Sequence, residues 1–470
     1  MAKKTSSLNW KFNLHLKPYL TLVTLAIFAP MWLAMAPSIA HANTISVNTT
    51  GDPGPSGTCD LRDAITNANN KDQSGSTDCV AGSGTDTIVF NLSGTITLGS
   101  SLPAIANSSG DSLTIDGSGQ TITVDGDNTY QVLLVNSGAM LNLNDLTIAH
   151  ADGGGIVNEG ALTVTNSTFS GNATLGTGGG IDNENTLTVT NSTFYDNSAT
   201  DQGGAIFSEG TLTVTNSTFY GNSASTVPYD QGGGIFNAAA ATVANSILAD
   251  STGGNCLGDT ITDGGYNISD DSSCGFAGTG ANGKPIGDNV SDANIKLGPL
   301  ADNGGPTETF ALGSGSYAID AIPKALCPPT DQRGAPRPDP DVRLETACDI
   351  GAFESGNLIW FTPPSLNFGI VPVGQRSAPM TVTLNNGSGQ DLKIRKWSIG
   401  VNYAIVGTTC PPPPSILPSG DSCSFEIAFR PIYGGVRNEL FQVYDNLGQQ
   451  FVRLSGTTKS DGSGVRGRKL

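Results

Sequence analysis

The chain has 470 residues, of which 61 are glycine, 26 are proline and 14% are charged. It is too long for one ordinary domain, and its polar residues are mainly Asn, Ser and Thr, which is typical of extended β architectures and argues against a helical protein. The net charge of −18 at pH 7 repels phosphate backbones, so we expect no nucleic-acid partner.

The first 42 residues have the pattern of a secretory signal peptide. A basic start without acidic residues is followed by the apolar run TLVTLAIFAPMWLAMAPSIA and by the small-x-small triplet Ala40-His41-Ala42. An uncleaved membrane anchor is the alternative, and the prolines in the apolar run, Pro30 and Pro37, argue against it. We therefore expect a secreted or cell-surface protein with no membrane span in the mature chain.

All eight cysteines follow this segment, and they fall into four groups of two near neighbours. In an oxidising compartment, an even number of cysteines in this arrangement predicts four local disulfides, although spacing alone does not fix the connectivity. None of them has the CxxC spacing of a zinc site, and histidine is rare, so the sequence does not indicate a metal site of that kind. The cysteines are Cys59, Cys79, Cys256, Cys274, Cys327, Cys348, Cys410 and Cys423.

The stretch CDLRDAITNANN near the start of the mature chain predicts a short helix. Its apolar residues share one helical face: Leu61, Ala64, Ile65 and Ala68. Because an open end of a β architecture must be covered, we expect residues 43–84 to cap the strands that follow, with a disulfide between Cys59 and Cys79.

A 25-residue repeat occupies the middle of the chain, with copies that begin at Gly153, Gly178 and Gly203 and a degenerate copy at Gly232. Each copy contains LTVT or a relative of it, and this alternation of apolar and polar residues predicts a strand with one buried face. A fixed period of this length indicates a repeat architecture. We therefore predict an all-β fold in which residues 85–326 form a right-handed parallel β-helix with about three strands per coil.

One asparagine recurs at the same place in each copy, directly after the predicted strand. If each copy is one coil, these side chains stack about 4.8 Å apart. Stacked amides bond to one another, which offsets the unfavourable free energy of burying them. We expect a structural ladder of Asn166, Asn191, Asn216 and Asn245.

The repeats resemble those of the polymorphic outer-membrane proteins of chlamydiae. Their marks are a GGAI-like tetrapeptide and an FxxN motif, found here at Gly203 to Ile206 and at Phe219 with Asn222. The resemblance covers about a hundred residues and implies a β-helix and, by family, an adhesin. The C-terminal translocating barrel of that family has no counterpart in this sequence.

A second resemblance covers residues 43 to about 354. CDLRDAITNAN and DQRGAPRPDPDVRLETACDIGAFE (Asp331 to Glu354) are similar to motifs of bacterial "choice-of-anchor" surface proteins, which carry one β-helix body and interchangeable attachment tails. The resemblance implies a C-terminal cap over residues 327–357, pinned by a disulfide between Cys327 and Cys348. An ion-pair network is expected within it, and we interpret it as part of the cap and not as a site: Arg333, Arg337, Asp349 and Glu354.

Residues 358–457 resemble the Ig-like β-sandwich of abnormal-spindle and hydin-type proteins. The resemblance implies a loop closed by Cys410 and Cys423, and residues 458–470 read as a disordered basic tail. Four apolar residues of the first strand region are expected in the core: Leu366, Phe368, Val371 and Val373.

Three glutamates share one repeat position, so their Cα atoms are expected about 5 Å apart. The simplest interpretation is a row of exposed residues at a polar turn: Glu159, Glu184 and Glu209. Two alternatives stay open, namely a calcium site and the carboxylate pair of a retaining glycosidase. Asp125 and Asp127 in VDGDN are a turn by the same reasoning, with calcium binding as the alternative.

His150 is the single histidine of the mature chain, which leaves little material for Ser-His-Asp catalysis. We interpret the protein as an exported, non-catalytic β-helix adhesin or stalk that binds a glycan or another cell-surface ligand. The alternatives are a carbohydrate-active enzyme, either a polysaccharide lyase or a glycoside hydrolase, with Asp or Glu on the β-helix, and a structural envelope component. No cofactor is expected, and calcium is the one candidate ion.

Overall fold

The computed structural model describes residues 42–107, 110–225, 231–338, 347–356, 359–363, 365–387, 391–418 and 421–458. The predicted signal peptide, apart from its last residue, and the predicted basic tail beyond residue 458 lie outside these residues. Within the described ranges, no helix is both long and apolar enough to cross a membrane.

The predicted parallel β-helix is confirmed. The central coils each contribute one short strand to each of three sheets. The strands of LTVT type alternate between buried apolar residues and half-buried threonines. Sheet 1 contains Thr44–Val47, Asp86–Phe90, Leu113–Asp116, Met140–Asn144, Ala161–Thr165, Thr186–Thr190, Thr211–Thr215, Ala240–Ala244 and Ile261–Asp263.

The other two sheets complete each coil. Sheet 2 contains Gly94–Thr97, Ile122–Asp125, Thr147–Ala149, Thr168–Ser170, Thr193–Tyr195, Thr218–Tyr220, Ile247–Ala249, Ile268–Ser269, Pro285–Gly287 and the antiparallel Ala277–Thr279. Sheet 3 contains Leu133–Val135, Ile156–Asn158, Ile181–Asn183, Ile206–Ser208, Ile235–Asn237 and Cys256–Gly258. A two-stranded sheet of Ala173–Thr174 and Ser198–Ala199 lies at one corner.

Identical residues of successive coils stack directly on one another. Leu162 pairs with Leu187 and Leu187 with Leu212 in the strand register. The rings of Phe169, Phe194 and Phe219 are parallel, with centroids 4.8 and 4.7 Å apart. The repeat in sequence therefore becomes a column in space, and these columns form the core of the coils.

A helix packs against the first two strands of sheet 1. It spans Leu61–Asn70 and begins at Asp60, whose side chain accepts a hydrogen bond from the Asp63 amide. Its four apolar residues named above are buried in the same core as Ile45 of the first strand. The Cys59–Cys79 disulfide closes the loop that follows.

A closing segment, residues 292–356, follows the last coil. It contains the helix Asp292–Ile295, the 3-10 turn Lys324–Leu326, and two antiparallel pairs, Leu297–Ala301 with Thr309–Leu312 and Ile322–Pro323 with Ala347–Cys348. The described contacts of this segment run along the side of sheet 2, where Phe310 packs against Tyr195 and Tyr220. The end cap expected from the sequence over residues 327–357 stays a prediction.

The C-terminal residues form a β-sandwich whose two four-stranded sheets share one core. The first sandwich sheet contains, in order, Ile359–Thr362, Met380–Asn386, Ser422–Phe429 and Tyr403–Thr408. The second contains Ser365–Ile370, Gln449–Thr458, Gly435–Tyr444 and Lys396–Ile399, and a short pair is formed by Leu392–Ile394 and Ser415–Leu417. Val373 is 42% exposed, against expectation, because its strand ends at Ile370 and the alternation stops there.

Four disulfides join Cys59 to Cys79, Cys256 to Cys274, Cys327 to Cys348 and Cys410 to Cys423. All four are local in sequence. They fit an extracellular protein, because disulfides of this kind persist in oxidising compartments.

Candidate functional site

The outer side of sheet 1 carries a flat array of short side chains, which we call the threonine face. It consists of the outward positions of five successive coils, and none of these residues is ionisable. They are Met140, Asn142, Asn144, Ala161, Thr163, Thr165, Thr186, Thr188, Thr190, Thr211, Thr213, Thr215, Ala240, Thr242 and Ala244.

The strand pairing makes this face a regular grid. The register runs without a shift from Asn142 through Thr163, Thr188 and Thr213 to Thr242. Neighbouring Cα atoms are therefore about 4.8 Å apart between coils and about 6.7 Å apart between alternate residues of a strand. The hydroxyls of Thr190 and Thr215 are 3.1 Å apart and bond to each other. Threonine is restricted at χ1, so the grid is held in few rotamers. Its hydroxyls donate and accept hydrogen bonds at fixed spacing.

The predicted asparagine ladder lies at the turn between sheets 1 and 2. Asn191 Nδ2 donates to Asn166 Oδ1 at 3.4 Å, and Asn245 Nδ2 donates to Asn216 Oδ1 at 3.0 Å. Asn191 Oδ1 has no partner among the described residues. All four asparagines have φ between 49° and 56°. They therefore shape the turn, since Asn tolerates the left-handed region.

Two further ladders are fully buried, and the sequence analysis did not identify them. Asn172 Nδ2 donates to Asn197 Oδ1 at 2.8 Å, and Asn197 Nδ2 donates to Asn222 Oδ1 at 2.9 Å. In the second ladder, Asn158 Nδ2 donates to Asn183 Oδ1 at 2.7 Å. The FxxN motif contained the signal for the first ladder, because its asparagine recurs once per coil. The first ladder follows the strands of sheet 2 and the second lies at the ends of the strands of sheet 3, so both join successive coils.

The three glutamates of the repeat lie at the corner after sheet 3. Glu159 is half-buried, while Glu184 and Glu209 are exposed. Nearby Asp182 has a raised pKa, mainly because of its burial and secondarily because of Glu184 and Glu209. In the part of the chain that the structure describes, no group of three or more His, Cys, Asp or Glu is arranged to hold a metal ion.

The VDGDN aspartates lie at a different corner. Asp125 Oδ1 accepts a hydrogen bond from the Asp127 amide, and Asp125 Oδ2 lies 2.9 Å from His150 Nδ1. Asp127, Asn128 and His150 have φ of 55°, 49° and 48°, as turn residues do. Asp125 ends a strand of sheet 2, whereas Glu159 follows one of sheet 3. The two sets of candidates are therefore not one site.

A carboxyl pair that the sequence analysis missed lies at the turn after sheet 1. Ser118 Oγ is 2.5 Å from Asp116 Oδ1 and 2.8 Å from Asp145 Oδ2. Burial, together with the charge of Asp116, raises the pKa of Asp145 to about 7. The Ser118 hydroxyl lies within donor distance of both carboxyls, and Asn144 Nδ2 donates to Asp145 Oδ2 at 3.0 Å. No sequence motif marks this pair, because Asp145 is 27 residues from Ser118.

The charged residues of the closing motif are buried and bonded to the protein itself. Arg333 pairs with Asp331 at 2.7 Å, and its guanidinium lies over the ring of Phe353. Arg337 donates to the carbonyl oxygens of Asp349 and Gly351, both at 2.6 Å. Burial and the charge of Asp349 raise the pKa of Glu354. These bonds hold the closing segment in place.

Comparison with known proteins supports the fold. Residues 80–252 match the family model described as "Right handed beta helix region". Among curated proteins, no sequence matches this chain.

Three solved structures show low similarity. The secreted serine protease VesC of Vibrio cholerae is 18% identical, with a TM-score of 0.17, over 21% of this chain and 24% of its own. The VesB protease of the same organism is 16% identical, with a TM-score of 0.18, over 22% and 32%. The ASH/PapD-like domain of human CEP192 is 18% identical, with a TM-score of 0.18, over 22% and 87%. The chain thus spans a third or less of either protease, and none of these similarities assigns it an activity.

Proposed function

We propose that the protein is an exported, non-catalytic β-helix adhesin or stalk whose threonine face binds neutral glycans of a cell surface. One observation carries the proposal. A protein with a net charge of −18 presents fifteen successive outward positions without a single ionisable side chain. Such a face suits an uncharged ligand that extends over several coils.

The chemistry of threonine supports a polyhydroxylated ligand. Each hydroxyl is one donor and two acceptors, and sugar hydroxyls have the same inventory. The grid repeats the same group at strand spacing, so it contacts a repeating chain better than a single small molecule. The Ig-like sandwich, in this proposal, is a spacer or attachment module.

One specific observation favours a second candidate, a glycoside hydrolase. Asp116 and Asp145 contact the same Ser118 hydroxyl, and burial raises the pKa of Asp145 to about 7. Retaining glycosidases use two carboxyl groups, and the pKa of the one that acts as general acid is raised. Asp145, however, is 8% exposed, which leaves little room for a sugar to reach it.

Incubation of purified residues 43–470 with insoluble neutral and acidic polysaccharides tests both candidates. Retention and newly formed reducing ends are measured on the same samples. Retention on a neutral polysaccharide without product supports the binding protein. Product that disappears in Asp116→Asn but persists in Glu184→Gln supports the hydrolase. Product that disappears in Glu184→Gln makes the glutamate row an active site. Neither retention nor product contradicts both candidates and leaves a structural envelope component.

A further inference from the structure

A cleft of about 550 Å³ lies between the β-helix and the sandwich, and we call it the junction cleft. One wall is the β-helix turn of residues 118–121 with Ser93. The other wall is the outer face of the first sandwich sheet, and Gly305, Pro306 and Arg333 complete the lining. This volume is within the range of ordinary ligand pockets, which often lie at domain interfaces.

The lining of the junction cleft is neutral and rich in hydroxyl and amide groups. Ten of its side chains end in a hydroxyl or a carboxamide, and none is a carboxylate. Arg333 is the one charged residue of the lining, and its guanidinium is already bonded to Asp331 and to the carbonyl oxygens of Asn303 and Glu354. The cleft therefore offers no free charge to an ionic ligand.

The two walls leave polar groups unbonded across the opening. Among the described residues, no hydrogen bond joins the β-helix wall to the sandwich wall. On the sandwich wall, Asn385 is 5% exposed and its Nδ2 donates to Thr362 Oγ1 at 3.1 Å. Its Oδ1 accepts no hydrogen bond within the described part of the chain. On the opposite wall, Gln120 Oε1 accepts from Ser93 Oγ at 2.8 Å, so the orientation of its amide is set.

A preorganised acceptor on one wall and an oriented amide on the other suit a ligand with both donors and acceptors. Thr383 and Ser424 stand opposite each other on neighbouring strands of the sandwich wall and add two hydroxyls. Sugar hydroxyls meet such groups in either direction. An anion finds no unpaired cation here, and a cation finds no carboxylate.

We propose that the junction cleft binds an uncharged oligosaccharide, as a second site separate from the threonine face. The inference rests on the proposed function, because it takes the protein to be a glycan-binding protein without catalysis. It assigns the recognition of a short soluble sugar chain to the cleft. The threonine face, in this proposal, contacts extended glycan surfaces.

Isothermal titration of residues 43–470 with cellohexaose, maltohexaose and chitohexaose tests the inference, with tri-galacturonate as the anionic comparison. Gln120→Ala and Thr383→Ala each remove one polar group, one on either wall. Thr188→Ala removes a hydroxyl from the threonine face, and Thr200→Ala is the control at an exposed residue outside both sites. We expect one neutral oligosaccharide to bind, and each wall variant to weaken it about five- to tenfold. The control binds like the wild type. Thermal unfolding of each variant verifies that the fold is intact.

Several results overturn the inference. Binding that is lost in Thr188→Ala but unchanged in both wall variants places the oligosaccharide on the threonine face and leaves the proposed function standing. Tighter binding of tri-galacturonate contradicts the neutral ligand class. If no oligosaccharide binds while insoluble polysaccharide still retains the protein, the cleft inference alone fails. If neither binds, the proposed function fails with it.

Discussion

At the scale of single residues, Asp145 is a carboxyl group whose negative charge is disfavoured by its burial. It occupies the turn position that Asn166 occupies one coil later, and Asn166 in turn bonds to the neighbouring Asn144. Its carboxyl is buried, and its pKa is raised from 3.8 to about 7. Between pH 4 and pH 7 the folded state therefore holds a proton that the unfolded chain has released. The contribution of Asp145 to stability is thus most favourable below pH 4 and falls as the pH rises from 4 to 7.

Asp145→Asn removes this charge and keeps a side chain that accepts the positive φ of 56°. We expect the variant to be more stable than the wild type at pH 8, by at most about 4 kcal/mol. The difference should shrink toward pH 4, where Asp145 is protonated in the folded state and partly protonated in the unfolded state. Urea unfolding at pH 4, 6 and 8 measures it. A variant that is less stable than the wild type at pH 8 contradicts the assignment.

At the scale of elements, the buried ladder of Asn172, Asn197 and Asn222 stabilises the stack of coils. Asn197 accepts from Asn172 and donates to Asn222, and none of the three side chains is exposed. Asn197→Ala leaves both neighbours without a side-chain partner in the interior, so we expect a loss of about 2–4 kcal/mol in the free energy of unfolding. Asn191→Gly is the matched control from the turn ladder, because glycine accepts its φ of 49°. Equal losses in the two variants would show that the amide pairing of Asn197 contributes no more than that of the turn ladder.

Some of these elements could be predicted from the sequence and others could not. The β-helix was predictable because LTVT recurs every 25 residues, and identical residues at one period stack in space. The buried ladders were missed because the alternation rule reads asparagine as outward, while Asn158 and Asn172 are buried through partners in the next coil. The packing of the closing segment against sheet 2 could not be predicted from the sequence either. Thr168 Oγ1 donates to the Glu308 carbonyl across 140 residues, and no local pattern encodes such a contact.

At the scale of the whole molecule, the distribution of charge predicts how binding responds to salt. Attraction between charges weakens as salt screens it, but the threonine face has no ionisable side chain. We expect retention on a neutral polysaccharide to be the same at 50 mM and 500 mM sodium chloride, and the same with and without a calcium chelator. Retention that falls steeply with salt or needs calcium would place binding at the acidic corners, with Glu184 and Glu209.

If the threonine face is the binding surface, charge placed in the middle of its grid abolishes binding. Two variants are compared on the polysaccharide that retains the wild-type protein. One is the double variant Thr188→Lys with Thr213→Lys, and the other is the single variant Thr200→Lys. The first two changes place charge in the middle of the grid. Thr200 is exposed outside it and controls for added charge. We expect that the polysaccharide no longer retains the double variant and that it retains Thr200→Lys like the wild type. A double variant that is retained like the wild type would contradict the claim.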